Sequence, residues 1–274
     1  MSYATVMVHV GIDAASDARV RLASGLAERF HATLIGVAGV GPRPPFAAEG
    51  LVVDFGPSAE EKQAMTEELG GLGAHFRALV GPVGRPVEWR GSLDFPIEAV
   101  SRAARAADLI VIGSGPQPDD VFRSLDPGSV ILRAGRPVVL VPAGVETLVP
   151  AKVLVAWKDT REARRALTDA LPVLHEADKV MVAEVCPAAD AAAARQNLDE
   201  VGRYLARHRI AVAATVTLHD EGSATDALVR LAREERVDLI VAGGYGHSRL
   251  GEWMFGGVTR GLLTGSPVCC LLSH

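Results

Sequence analysis

An internal repeat constrains the fold of this chain more than any other feature of its sequence. Three segments return later in the chain in the same order: TVMVHVGID (5–13) as KVLVAWKD (152–159), GSLDFPIEAVSRAARAADLIVIGSG (91–115) as GSATDALVRLAREERVDLIVAGGYG (222–246), and GRPVVLVP (135–142) as GSPVCCLL (265–272). Such self-similarity indicates two copies of one structural unit in tandem. The first copy contains an additional glycine- and proline-rich stretch at 39–58, which we interpret as a loop or lid.

The length of the chain, 274 residues, is sufficient for two domains that each bury a hydrophobic core. Hydrophobic residues form 49% of the sequence and charged residues 22%, a composition that indicates a folded protein rather than a disordered one. The segment at 142–150 has a proline at each end and is typical of a linker. We therefore predict domains at 1–144 and 148–274.

Each copy alternates short apolar runs with segments of helical periodicity. The runs at 109–112, 138–141, 153–155, 180–182 and 239–241 lack polar alternation, which is typical of parallel strands covered on both faces. We predict an α/β fold with two tandem Rossmann-like domains, each a five-stranded parallel sheet of order 3-2-1-4-5 with helices on both faces. The two copies are expected to pack on each other as an internal pseudo-dimer, and further pairing into a homodimer stays open.

The charge and the apolar segments of the chain argue against two classes of partner. A net charge of −5 without a run of Lys or Arg is not typical of proteins that bind nucleic acid or anionic lipid. No stretch reaches the ~18 to 20 continuous apolar residues that span a bilayer, and the N-terminal segment does not have the pattern expected of a secretory signal. The three cysteines lie in apolar runs, where we interpret them as small buried hydrophobes. We expect a cytoplasmic protein without nucleic-acid or membrane partners.

Candidate binding residues follow the first and fourth strands of the second copy, where ligands bind in doubly wound sheets. Asp159 follows the first strand, and Gly243 and Gly246, after the fourth, allow a ligand to approach the backbone closely. Gly256 and Gly257 lie at the expected start of the last helix, where unpaired amides favour a phosphate. Together these glycines are suited to a polyphosphate, but a tight turn between strand and helix explains them as well.

This glycine segment resembles a signature of the universal stress protein family, Gly-x2-Gly-x9-Gly-(Ser/Thr). Here the signature is Gly243, Gly246, Gly256 and Gly257, between the apolar run DLIVA and a final strand that begins after a proline. The resemblance extends over most of both copies. It implies a cytoplasmic stress-response protein, often dimeric, that binds ATP, with or without Mg²⁺.

The resemblance also implies roles for single residues of the second copy. By position, the residues around the adenosine and along the phosphates would be Asp159, Val185, Gly243, Gly246, Gly256, Gly257 and Val258. Gly257 replaces the family's Ser or Thr, and the lost hydroxyl contact is worth about 1 kcal/mol. His247 is a candidate to face a phosphate, or a histidine of an exposed loop. Asp159, with Glu162 three residues later, also predicts a helix N-cap, and both roles are compatible.

The first copy departs further from the signature. Its candidate residues are Asp13, Gly113, Gly128 and Ser129, but the Gly-x2-Gly spacing is broken. Asp119, Asp120 and Asp126 also place negative charge where phosphates would lie. Asp13 is a helix-cap candidate too, in competition with Ser16. We predict that the first site is weak or defunct.

The sequence favours binding over catalysis. It contains no P-loop, Gly-x-Ser-x-Gly elbow or HExxH helix, and neither the SGGxDS loop nor the HxGH motif of adenylate-transferring enzymes. We predict a nucleotide-binding stress-response or signalling protein that acts mainly through its second copy, with at most weak ATPase activity. The alternative is a scaffold of the same fold that serves dimerisation or interaction and binds no nucleotide.

Overall fold

The computed structural model describes residues 2–42, 56–114, 122–218, 223–245 and 257–274. The first half consists of β1 (Thr5–His9), α1 (Ser16–Arg29), β2 (Thr33–Gly39), α2 (Ala59–Val80), β3 (Val87–Ser92), α3 (Pro96–Ala103), β4 (Leu109–Gly113), α4 (Pro127–Arg133) and β5 (Val138–Val141). The second half consists of β6 (Lys152–Trp157), α5 (Arg161–Asp169), α6 (Leu171–Glu176), β7 (Lys179–Val185), α7 (Ala191–Arg207), β8 (Val212–Leu218), α8 (Ala224–Glu234), β9 (Leu239–Gly243), α9 (Gly257–Gly265) and β10 (Cys269–Ser273).

The ten strands of the described residues belong to one sheet of order β3-β2-β1-β4-β5-β10-β9-β6-β7-β8. Within each half the strands are parallel and follow the order 3-2-1-4-5, which confirms the predicted fold class and strand order. The halves meet where β5 and β10 pair antiparallel, with Leu140 opposite Cys270 and Val138 opposite Leu272. The two repeats therefore share a continuous sheet, while the exact domain bounds, 1–144 and 148–274, stay a prediction.

The strands form because their apolar runs are buried on both faces of the sheet. In β6, Val153 and Val155 belong to the apolar layer that also contains residues of α1, α2, α5, α6 and α7, whereas Leu154 belongs to the opposite layer, with residues of α3, α4, α8 and α9. This alternation places two apolar layers around the sheet, as parallel strands require. Cys186, Cys269 and Cys270 are buried and form no disulfide, which confirms their interpretation as small buried hydrophobes.

Two further expectations concern the additional stretch at 39–58 and the absence of membrane-spanning segments. Residues 43–55 of the predicted loop or lid lie outside the described residues, and Ser58, at its end, caps α2 by accepting a hydrogen bond from the backbone N–H of Glu61. No helix in the described part of the chain is both long enough and apolar enough to cross a membrane.

Candidate functional site

A cavity of about 320 Å³ lies at the carboxyl edge of the second half. The ends of β6, β7 and β9 form its base, and residues of α5, α8 and α9 form its walls. β6 has β7 on one side and β9 on the other, so the strand order reverses at this point. The cavity therefore occupies the position where doubly wound sheets bind ligands.

Four of the residues predicted from the sequence line this cavity. Val185 ends β7, Gly243 ends β9, and Gly257 and Val258 form the first turn of α9. Gly246, His247 and Gly256 lie outside the described residues. The roles proposed for these seven residues stay predictions, but the structure brings the four described ones to one cavity.

The two described glycines of the signature differ in their surroundings. A Cβ atom at Gly243 would lie 2.6 Å from the backbone nitrogen of Ala163, because the start of α5 packs directly on the end of β9. Close packing therefore requires glycine at this position. At Gly257, no described atom lies within 4 Å of an added Cβ, so the position has room for a side chain.

Asp159 lies outside the lining of this cavity. Its carboxylate forms an ion pair with Arg164 and is 56% exposed, at the rim of another cavity of about 300 Å³ between α5 and α7. The predicted helix cap at Asp159 is wrong. Thr160 caps α5 instead, because its extended backbone brings Oγ1 within 3.2 Å of the N–H of Ala163, from which it accepts a hydrogen bond. Contact between Asp159 and an adenosine stays a prediction.

The sequence interpretation missed three polar residues that line the cavity. Lys158 is exposed, and no carboxylate of the described residues forms a salt bridge with it. The hydroxyl groups of Thr160 and Thr259 add polar atoms to the walls, and Thr259 Oγ1 accepts a hydrogen bond of 3.1 Å from the backbone N–H of Tyr245. Lys158 was detectable, since it follows β6 directly and precedes Asp159.

The equivalent crevice of the first half is filled by its own side chains. Arg19, only 3% exposed, forms an ion pair with Asp13 at 2.8 Å and donates a hydrogen bond to the carbonyl of His9. Burial raises the pKa of Asp13, but the hydrogen bond and charge of Arg19 outweigh it and hold that pKa below its ordinary value. A Cβ at Gly113 would lie 2.6 Å from Arg19 Nη1, so the guanidinium packs on the end of β4.

The expected capping of α1 is also wrong. The cap position is Ala15, and no side chain accepts a hydrogen bond there. Asp13 accepts from the N–H of Ala15 in the preceding turn, and Ser16 Oγ accepts from the N–H of Gly11. Both side chains therefore stabilise the turn between β1 and α1 rather than the helix itself.

A carboxylate of the protein occupies the start of α4 in the first half. Asp126 accepts hydrogen bonds from the N–H groups of Gly128, at 3.3 Å, and Ser129, at 2.9 Å, and from the hydroxyl of Ser129 at 2.6 Å. These are the groups that a phosphate would need at this helix end. Asp119 and Asp120 lie outside the described residues. The geometry supports the prediction of a weak or defunct first site.

Comparison with solved structures shows the same fold over the whole chain. A universal stress protein from Archaeoglobus fulgidus is 15% identical, with 98% of this chain and 95% of that chain aligned and a TM-score of 0.75. A functionally unknown protein from Pseudomonas aeruginosa is 14% identical, with coverages of 99% and 92% and a TM-score of 0.60. A universal stress protein solved in complex with cAMP is 23% identical over 46% of this chain and 98% of that chain, with a TM-score of 0.39.

Sequence comparison points to the same family. No curated protein sequence matches the chain. The model of the universal stress protein family matches residues 151–274, which include the cavity and all of the second half's strands. Residues 151–274 are therefore similar to the universal stress protein family, and the two halves together have the fold of a solved universal stress protein.

Proposed function

We propose that this protein binds an adenine nucleotide, ATP in particular, in the cavity of the second half and serves in cytoplasmic stress response or signalling without strong catalysis. The observation that carries the proposal is the convergence of Gly243, Gly257, Val258 and Lys158 on one cavity at the reversal of strand order. Its volume, about 320 Å³, falls within the range of small-molecule sites.

The polar and the apolar residues of the lining suit the two parts of a nucleotide. The first turn of α9 begins at Gly257, where the first backbone N–H groups of a helix have no partner within the helix and favour an anion. The ammonium group of Lys158 adds positive charge. Ala156, Val185 and Leu228, which also line the cavity, offer the apolar surface that a purine needs.

The composition of the lining favours binding over hydrolysis. No carboxylate is among the described residues that line the cavity, so the described wall has no acidic side chain to act as a general base toward water. Mg²⁺ is usually bound by one or two carboxylates together with phosphates and water. In this cavity Mg²⁺ would depend on the nucleotide's phosphates and water, and the hydroxyl groups of Thr160 and Thr259 are the side-chain oxygens that the described lining offers.

Titration of ATP by isothermal calorimetry tests the proposal. The Lys158→Ala variant should bind ATP about tenfold more weakly than the unaltered protein, since a hydrogen bond to a charged group is worth about 1.5 to 3 kcal/mol. Lys62→Ala is the matched control, because Lys62 is exposed on α2 in the first half. Absence of ATP binding, or equal affinity of both variants, would exclude this cavity as the nucleotide site.

A second candidate is an interaction scaffold that binds no nucleotide. It is favoured by the first half, where Arg19 and Asp126 fill the ligand crevice, and by the fusion of both halves into one sheet. Mass spectrometry of ligand released from purified protein separates the candidates. A ligand that binds only the folded state also raises the melting temperature, so an unchanged melting temperature with ATP would favour the scaffold.

A further inference from the structure

Three arginines line a separate cavity in the first half, outside the proposed nucleotide site. The cavity, about 210 Å³, lies between β2, the edge strand β3 and the C-terminal end of α3. Arg90 reaches it from β3, Arg102 from α3, and Arg105 from the turn that follows α3. Its apolar lining consists of the buried side chains Val37, Ala99 and Ala103.

The positive charge of these arginines is only partly compensated. Glu88 pairs with Arg90 at 2.7 Å, and Asp94 pairs with Arg102 at 2.9 Å. Arg105 donates a hydrogen bond from Nε to the carbonyl of Arg102 at 2.8 Å and forms no salt bridge with any described carboxylate. The described lining itself contains no acidic residue. A net positive site therefore exists in a chain whose overall charge is −5.

The arrangement of guanidinium groups determines which ligand fits. A guanidinium presents a planar fork of N–H donors that matches two oxygens of a phosphate or carboxylate. Several forks around one small cavity favour a ligand with two negative charges and several oxygens. The volume is below that of typical nucleotide-sized sites. We propose that this cavity binds a small free dianion, with phosphate-like or dicarboxylate oxygens, through Arg90, Arg102 and Arg105.

Nuclear magnetic resonance of the full ¹⁵N-labelled chain tests this site directly. Sodium phosphate, sodium sulfate and sodium succinate are titrated separately at constant ionic strength, with sodium chloride as the balancing salt. We expect saturable shifts of the arginine Nε–Hε signals and of the backbone amides of Gly91 and Ser92, which lie at the cavity. These signals lie in the first half and distinguish this site from the cavity at Lys158. A preference for succinate identifies the ligand as a dicarboxylate, and a preference for phosphate or sulfate identifies it as a phosphate-like anion.

Two substitutions with the same change in charge make the test specific. Arg105→Gln should weaken binding about tenfold, whereas Arg195→Gln, on the exposed face of α7, should leave it unchanged. The spectrum of each variant also reports its folding, and Arg90→Gln replaces Arg105→Gln if that variant does not fold. Absence of saturable shifts with all three anions, or equal weakening in the Arg195 control, overturns the proposal.

Discussion

The phenolic oxygen of Tyr245 lies directly against Gly128, so the glycine segment of the second half touches the first turn of α4 in the first half. Tyr245 has a positive φ of 61°, and its backbone N–H is bound by Thr259 at the proposed nucleotide cavity. Burial, with a contribution from Asp126, raises the pKa of Tyr245 to about 12, so the phenol stays neutral near physiological pH. Tyr245 therefore connects the two candidate sites, since its side chain contacts the start of α4 and its backbone is hydrogen-bonded to Thr259, which lines the second cavity.

Substitution of Gly128 by Ala should destabilise the protein by about 1 to 3 kcal/mol, because the added methyl group overlaps the Tyr245 oxygen in a packed region. In a Tyr245→Phe background the overlap is removed, so the same substitution should cost much less. Urea unfolding of the four proteins in a double-mutant cycle measures the difference. Gly70→Ala is the control, since Gly70 lies in α2 with open space around it. Equal costs in both backgrounds would contradict the contact.

Calorimetric titration with ATP should give one nucleotide per chain. In the first half Arg19 packs on Gly113, and Asp126 already binds the amides at the start of α4. A phosphate would have to displace this carboxylate and would be repelled by it. Two equivalent sites of high affinity would show that these side chains do not close the first crevice.

Restoring a hydroxyl at the start of α9 should strengthen ATP binding. Gly257→Ser adds one hydrogen-bond donor worth about 1 kcal/mol, which corresponds to about fivefold tighter binding. No described atom obstructs the new side chain. Gly257→Ala is the control, because it adds the Cβ without the hydroxyl. If Ser and Ala variants bind ATP equally, the hydroxyl makes no contact with the phosphates.

His9 should make stability decrease as the pH falls below its ordinary pKa of 6.5. Burial, and then the charge of Arg19, lowers the pKa of His9 to about 3, so only the unfolded chain binds the proton in this range. The free energy of unfolding should therefore fall with a slope that approaches about 1.4 kcal/mol per pH unit from this group as the unfolded histidine becomes fully protonated. The slope between about pH 6.5 and 5 is compared with that of His9→Gln by urea unfolding. Identical slopes would show that His9 is protonated in the folded state.

The strands of the sheet were predictable because short segments of the sequence identify each of them. Apolar runs such as 109–112 and 239–241 identify buried strands, and the repeat fixes their equivalence between copies. Neither the apolar runs nor the repeat predicts that β5 pairs antiparallel with β10. The runs VVLV and CCLL are buried like the others, and neither carries a residue that selects its partner.

Residues of the candidate site were predictable only where they lie at the end of a strand or the start of a helix. Val185, Gly243, Gly257 and Val258 follow from the strand ends and the helix start, and the structure gathers all four. Arg19 was not predictable, because a long side chain reaches Gly113 only through the tertiary packing of α1 on β4. Thr160 rather than Asp159 caps α5, because the helix begins one residue later than the spacing suggests.

The junction of β5 and β10 also protects the protein from association through its strand edges. Either strand alone would expose a row of unpaired backbone groups flanked by apolar side chains, a template for aggregation. Joined, they leave β3 and β8 as the outer strands of the sheet that the described residues form. Cleavage within 142–150 followed by separation of the halves should therefore yield fragments that self-associate, and mixing them should restore a soluble pair.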